Sequence, residues 1–151
     1  MTQTLINVFF IAMTPIGELR AAIPYGIYHL LHPLAVYLVA IAGNMVPVAF
    51  LLLCLPRFEK AGLKLLPSQA HRLYLWFKER TRRKHSRAFK RFGALALVIF
   101  VAIPLPLTGA WSGALASYIF NIPPKSSFFL IFLGVLIAGG ITLFTSMGIF
   151  S

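Results

Sequence analysis

Acid is scarce in this 151-residue chain: three glutamates, Glu18, Glu59 and Glu79, stand against 14 lysines and arginines. Two of the three lie in a strongly basic stretch, so paired-carboxylate catalysis has almost no candidates. Cysteine is nearly absent as well. Cys54 alone excludes an internal disulfide and a cysteine-only metal site, and its apolar surroundings read as packing. The four histidines, His29, His32, His71 and His85, show no ligand spacing, so no metal site is expected. A nucleophile triad, a phosphate loop and a dinucleotide fingerprint are all missing. The sequence therefore points away from an enzyme and implies no cofactor. Met1-Thr2-Gln3-Thr4 has no basic lead-in, and Glu18 and Arg20 stand where a cleavage site would follow, so a secretory signal is not expected.

Charge of any kind is scarce, at 11% of residues, and apolar residues reach 59%. A soluble domain carries about a quarter charged residues, so these values, with a mean hydropathy of +0.84, point to an integral membrane protein of one domain. The net charge of +11 is concentrated. Twelve of the 14 basic residues lie between Arg57 and Arg91, and only Arg20 and Lys125 lie outside.

What is present is long apolar sequence, interrupted in a pattern. Leu5–Leu31 is apolar but broken at Pro15-Ile16-Gly17, with Pro24 and Gly26 as further weak points. Each arm is about 10–13 residues, roughly 15–20 Å of helix, which reaches only the middle of a ~30 Å hydrocarbon core. Segment 5–31 is therefore expected to be a re-entrant helical hairpin with Pro15–Arg20 at its tip. A single kinked spanning helix is the competing reading. Leu34–Leu55 has no charge and passes the ~20 residues needed to cross. Asn44 and Pro47 mark its polar midpoint, and Pro56 and Arg57 are expected to end it.

Segment 57–91 reads as interfacial. Pro67-Ser68 looks like a helix start, with Tyr74, Trp76 and Phe77 at headgroup depth. Arg80, Arg82, Arg83, Lys84, Arg87, Lys90 and Arg91 would face anionic lipid headgroups on the cytoplasmic side. Charge alone does not specify nucleic acid, and none is expected as a partner. Segment 92–121 repeats the first design: Phe92–Ile103 is one arm, Pro104–Gly109 the break and Ala110–Phe120 the second arm. Small residues from Gly109 to Ser117 would let helices approach closely. Ser126–Phe150 is a second span, with a possible bend at Gly139-Gly140.

The expected fold is thus all-α and integral to a membrane. It has two inverted repeats, each a re-entrant hairpin followed by a transmembrane helix (34–55 and 126–150). Broken helices meeting at the midplane are a transporter design. With the basic segment inside, the hairpin reading puts both termini outside, and the kinked-helix reading puts both inside. The localisation expected is the inner, cytoplasmic membrane of a prokaryote.

Two runs carry a family likeness: Pro15-x-x-Glu18-x-Arg20-x-x-Ile23-Pro24, and Ala102-Ile-Pro104-Leu-Pro106-Leu-Thr108-Gly109-Ala-Trp111-Ser-Gly113-Ala-Leu. Both resemble the paired signatures of the small multi-drug export protein family, over nearly the whole chain. More distantly the layout is similar to the DedA and VTT superfamily, whose implied role is moving lipids such as undecaprenyl phosphate across the bilayer. DedA proteins carry arginines around the second hairpin's proline, whereas Ile99–Gly109 here has no charge. The likeness makes membrane lipids, anionic or isoprenyl phosphates among them, the expected partners.

Glu18 heads the candidate residues, because an ionisable group at membrane depth is a functional hypothesis by default. It would be a proton- or cation-coupled carboxylate, or else a tip cap paired with Arg20. Arg20 suits phosphate geometry but could equally be a counter-ion or a snorkelling arginine. Pro24, Asn44, Pro104, Pro106, Thr108, Gly109 and Trp111 complete the expected substrate and proton site. A kink would equally explain the prolines, and a helix-helix hydrogen bond Asn44. Three functions remain open: a lipid or amphiphile transporter of scramblase type, a proton-coupled small multidrug exporter, and a membrane scaffold. Hairpins this short enclose little volume, so a homo-oligomer is expected.

Overall fold

The structure is a computed structural model that describes residues 2–65, 88–103 and 109–150. Among the described residues all regular structure is helical. The helices are α1 (Thr2–Met13), α2 (Glu18–Tyr28), α3 (Pro33–Leu65), α4 (Ala88–Ala102), α5 (Ala110–Ile119) and α6 (Pro124–Phe150). Pro104, Pro106, Thr108, Arg80, Arg82, Arg83, Lys84 and Arg87 lie outside the described residues, as do the Pro67-Ser68 start and the aromatic residues 74–77. Lys90 and Arg91 fall within α4.

Segment 5–31 folds back on itself. The Asn7 amide of α1 donates to the Tyr25 hydroxyl of α2 at 3.1 Å, whereas one continuous helix would separate them by about 27 Å. The turn is built by Thr14: its hydroxyl donates to the Ile11 carbonyl at 2.7 Å and accepts the Gly17 N–H at 3.0 Å. These bonds end α1 and deliver the chain into α2 within four residues. The helix therefore resumes earlier than Ala21, so Glu18, Leu19 and Arg20 form the first turn of α2 and not the loop. Pro24 sits inside α2 without ending it. It lacks an N–H, so the Arg20 carbonyl loses its helical donor.

The first long helix also runs further than Pro56 and Arg57 suggest, continuing to Leu65. The Arg57 guanidinium donates to the Leu53 carbonyl at 2.7 Å, next to the Leu52 carbonyl whose helical donor Pro56 removes. At the other end of the chain, α6 is one helix through Gly139 and Gly140. Gly139 is where the Tyr37 ring of α3 packs, and the Tyr37 hydroxyl donates to the Leu136 carbonyl at 2.9 Å.

Packing follows one scheme twice. In the first half α1, α2 and α3 pack on one another, and in the second half α4, α5 and α6 do the same. Across the halves α2 packs on α6, α5 on α3, and α3 on α6. Gly26 of α2 abuts Val8 of α1 and Val36 of α3, and Gly113 of α5 abuts Val101 of α4 and Ile131 of α6. Gly43 of α3 lies against the Phe9 carbonyl and Ala12 of α1, while Gly134 of α6 lies against Val101 and the Val98 carbonyl of α4. Such close approach through small residues is how helices associate where lipid removes the hydrophobic drive.

The second arms also end alike. Leu30 (φ 57°) follows α2 and Asn121 (φ 58°) follows α5, both left-handed. Leu31 N–H donates to the Gly26 carbonyl and Leu30 N–H to the Ile27 carbonyl. Ile122 N–H donates to the Ser117 carbonyl and Asn121 N–H to the Tyr118 carbonyl. Both are Schellman ends, and Pro33 or Pro124 then opens the long helix, as proline favours. Leu30 and Asn121, Pro33 and Pro124, and Gly43 and Gly134 are each 91 residues apart.

Pro33–Arg57 and Pro124–Ile149 are each long and apolar enough to cross a membrane. Large apolar side chains such as Phe10, Leu38, Phe50, Leu95, Phe129 and Phe144 face outward. An exposed apolar surface of this extent is unusual for a soluble monomer, and with the two spans it reads as lipid-facing.

Candidate functional site

Where the two halves meet, α2 and α5 present their first turns to each other. Glu18 opens α2, and its carboxylate lies at the start of α5. There Trp111 N–H approaches Glu18 Oε1 at 3.4 Å and the Ala110 N–H also faces the carboxylate. The first amides of a helix have no intrahelical partner and carry the positive end of the helix dipole. A carboxylate from the opposite hairpin thus serves the α5 terminus, where the helix's own preceding residue, Gly109, has no side chain to do so. Ser112 Oγ accepts the Gly109 N–H at 2.8 Å and completes that end.

Gly109 is fixed by the carboxylate. A Cβ built there would fall on both Glu18 oxygens. Its backbone is extended (φ −154°), so any residue could adopt the conformation and only the space forbids one. Glu18 itself is strained, with φ 44°, in a region that costs a non-glycine residue about 1 kcal/mol or more. Glu18 is 8% exposed. A buried charge, a strained backbone and an excluded side chain therefore coincide at one contact. Arg20, half-buried in the same helical turn, is the opposite charge that acts on Glu18.

A small cavity opens beside the carboxylate. Glu18, Leu19 and Arg20 of α2 line it, with Asn44 of α3, Val101 of α4, Gly109 and Ala110 at the start of α5, and Val135, Ala138 and Thr142 of α6. Its free space is about 10 Å³ for the centre of a water-sized sphere, room for roughly one water molecule. Asn44 is 1% exposed, and its Oδ1 has no hydrogen-bond partner among the described residues. The Thr142 hydroxyl donates to the Ala138 carbonyl at 2.8 Å. The wall keeps the packing scheme of the halves: Glu18 and Gly109, Leu19 and Ala110, and Asn44 and Val135 are again 91 residues apart. Asn44 is near the middle of the 33–57 span, and Val135 and Ala138 are near the middle of the 124–149 span.

Of the expected site residues, Glu18, Arg20, Asn44 and Gly109 meet at this cavity. Trp111 reaches it through its backbone amide, while its buried Nε1 has no partner among the described residues. Pro24 is on α2 away from the wall. Thr142, Ala138, Val101 and Val135 were not legible as site residues. Only Thr142, a hydroxyl in an otherwise apolar span, offered a signal. Among the described residues no three of His, Cys, Asp and Glu cluster to hold a metal ion.

A family model described as "Putative small multi-drug export protein" matches residues 18–141. The match opens at Glu18 and spans the whole cavity wall except Thr142. No curated protein and no solved structure matches the chain.

Proposed function

The chain belongs to the small multi-drug export protein family, and from that premise we propose that it is an integral membrane transporter moving a lipid or amphiphile across the bilayer. The observation that supports this reading is the buried Glu18 carboxylate, held against Gly109 at the start of α5 and sharing a cavity wall with Asn44 and Val135, near the middle of both long helices. A carboxylate at that depth is costly unless it is paired or faces a wet cavity, and is a functional hypothesis by default.

In this reading both hairpins are re-entrant. Helices α1 and α2 have 12 and 11 residues, about 16–18 Å each, half the hydrocarbon thickness. The two halves are inverted repeats. Tyr37, early in α3, meets Leu136 and Gly139 around the middle of α6, so the two long helices are not side by side in equal parallel register. The basic segment 57–91 then faces the cytoplasm of a prokaryotic cell, where its arginines and lysines meet anionic headgroups. The likeness to DedA and VTT proteins supports a lipid substrate, with isoprenyl phosphate among the candidates and Arg20 as the headgroup ligand. The cavity as it stands admits no amphiphile, so transport requires the two hairpin tips to part. We read the protein as a transporter and not an enzyme, working as a homo-oligomer without nucleic acid.

The test is headgroup accessibility in liposomes. Inner-leaflet fluorescent phospholipid and fluorescent isoprenyl phosphate are exposed to an impermeant quencher, with wild type beside Glu18→Gln. The expected result is rapid loss of the protected half of the signal in wild type and at least a tenfold slower loss in the variant. Proton-driven efflux of an aromatic cation, with neither lipid moved, would favour the second reading, a small multidrug exporter. That reading rests on the family's description and the same carboxylate.

A further inference from the structure

The polar groups of the cavity wall are unbalanced. Among the described residues Asn44 Oδ1 is an acceptor with no donor. The Thr142 hydroxyl has committed its proton to Ala138, so towards any further partner it can only accept. Glu18 contributes two carboxylate oxygens, one of which also faces the Trp111 N–H. Leaving a buried acceptor unmatched costs about 1–3 kcal/mol, and the space beside these oxygens is that of one water molecule. Helices α3, α4, α5 and α6 bring no charged side chain to the wall; Glu18 and Arg20, both from α2, are its ionic groups.

The geometry points to a binding site for one small monovalent cation, hydronium or Na⁺, coordinated by the Glu18 carboxylate, Asn44 Oδ1 and the Thr142 hydroxyl. Oxygen ligands of this kind suit hard cations, and neutral amide and hydroxyl oxygens add ligands without adding charge. Arg20 sets the affinity from across the same turn, because its charge opposes a second cation. The inference rests on reading Glu18 as a working carboxylate, but it requires no particular transported substrate.

The test is direct binding to the purified full chain in detergent. Radioactive ²²Na⁺ is titrated at alkaline pH, and the pH midpoint of the Glu18 carboxyl infrared band is followed in sodium-free buffer. Saturable binding of about one Na⁺ per chain, weakened at least tenfold by Asn44→Leu and Thr142→Val and tightened by Arg20→Gln, is the expected result for sodium. Absence of Na⁺ binding, with the infrared midpoint moved by a pH unit or more in both variants, assigns the site to hydronium. Thr142→Val is nearly isosteric and keeps the proposal testable if Asn44→Leu does not fold. No Na⁺ binding, with a midpoint indifferent to both positions, overturns the site. Because lipid movement is not measured, the cation site can fail while the transporter reading stands, and the reverse.

Discussion

Gly109 and Glu18 are one unit at the scale of residues. The glycine has no unusual backbone; what it supplies is the missing methyl that lets the carboxylate reach the α5 terminus. Gly109→Ala should therefore destabilise the protein through overpacking, by about 1–3 kcal/mol. Detergent melting curves check it. The loss should shrink in a Glu18→Ala background, where the clash is removed, because contacting residues are not additive. An undiminished loss in the double variant would mean that Gly109 is needed for something other than the carboxylate. This contact was legible only in part. Glu18 stood out as the only acid outside the basic stretch, and Gly109 as part of a proline-rich break. Their meeting was not legible, because it joins positions far apart in the chain through tertiary packing. Thr142 was harder still: in a helix apolar on every face, periodicity does not tell an inward hydroxyl from an outward one.

The elements were more readable than their boundaries. Pro15 and Gly17 announced a break, and Pro33 and Pro124 open the two long helices as expected of proline at a helix start. One other proline misled: Pro56 was expected to end the first span, and α3 runs through it. Pro24, Pro47 and Pro56 all sit inside helices, which membrane helices tolerate when other groups satisfy the freed carbonyls. The early start of α2 came from Thr14, whose hydroxyl closes the turn on both sides; nothing in apolar periodicity reports that. The hairpin itself can be checked in a Cys54→Ser background. Asn7→Cys with Tyr25→Cys should cross-link in high yield with a short bismaleimide, because the two side chains meet. A continuous kinked helix would hold them about 27 Å apart and give no intramolecular product.

Across the whole molecule, two halves share helix ends, glycine contacts and packing partners, yet their sequences differ where they meet. At one spacing Asn44 stands opposite Val135, and at the same spacing Glu18 stands opposite Gly109. A fully symmetric interface would set two carboxylates, or none, at the junction; here one carboxylate occupies the space its counterpart vacates. The frame repeats between the halves and the site does not: the carboxylate comes from the first half alone. The proposed transporter reading makes the halves inverted repeats, and that reading carries a topological prediction. If both hairpins are re-entrant, both chain termini lie on the side opposite the basic segment. Single cysteines at Thr2, Ser151 and Ser86 in the Cys54→Ser background should then divide: an impermeant maleimide added to intact cells should label the first two and spare the third. Labelling of Ser86→Cys together with Thr2→Cys would put the termini and the basic segment on one side. A pair of re-entrant hairpins, each followed by one spanning helix, cannot produce that arrangement.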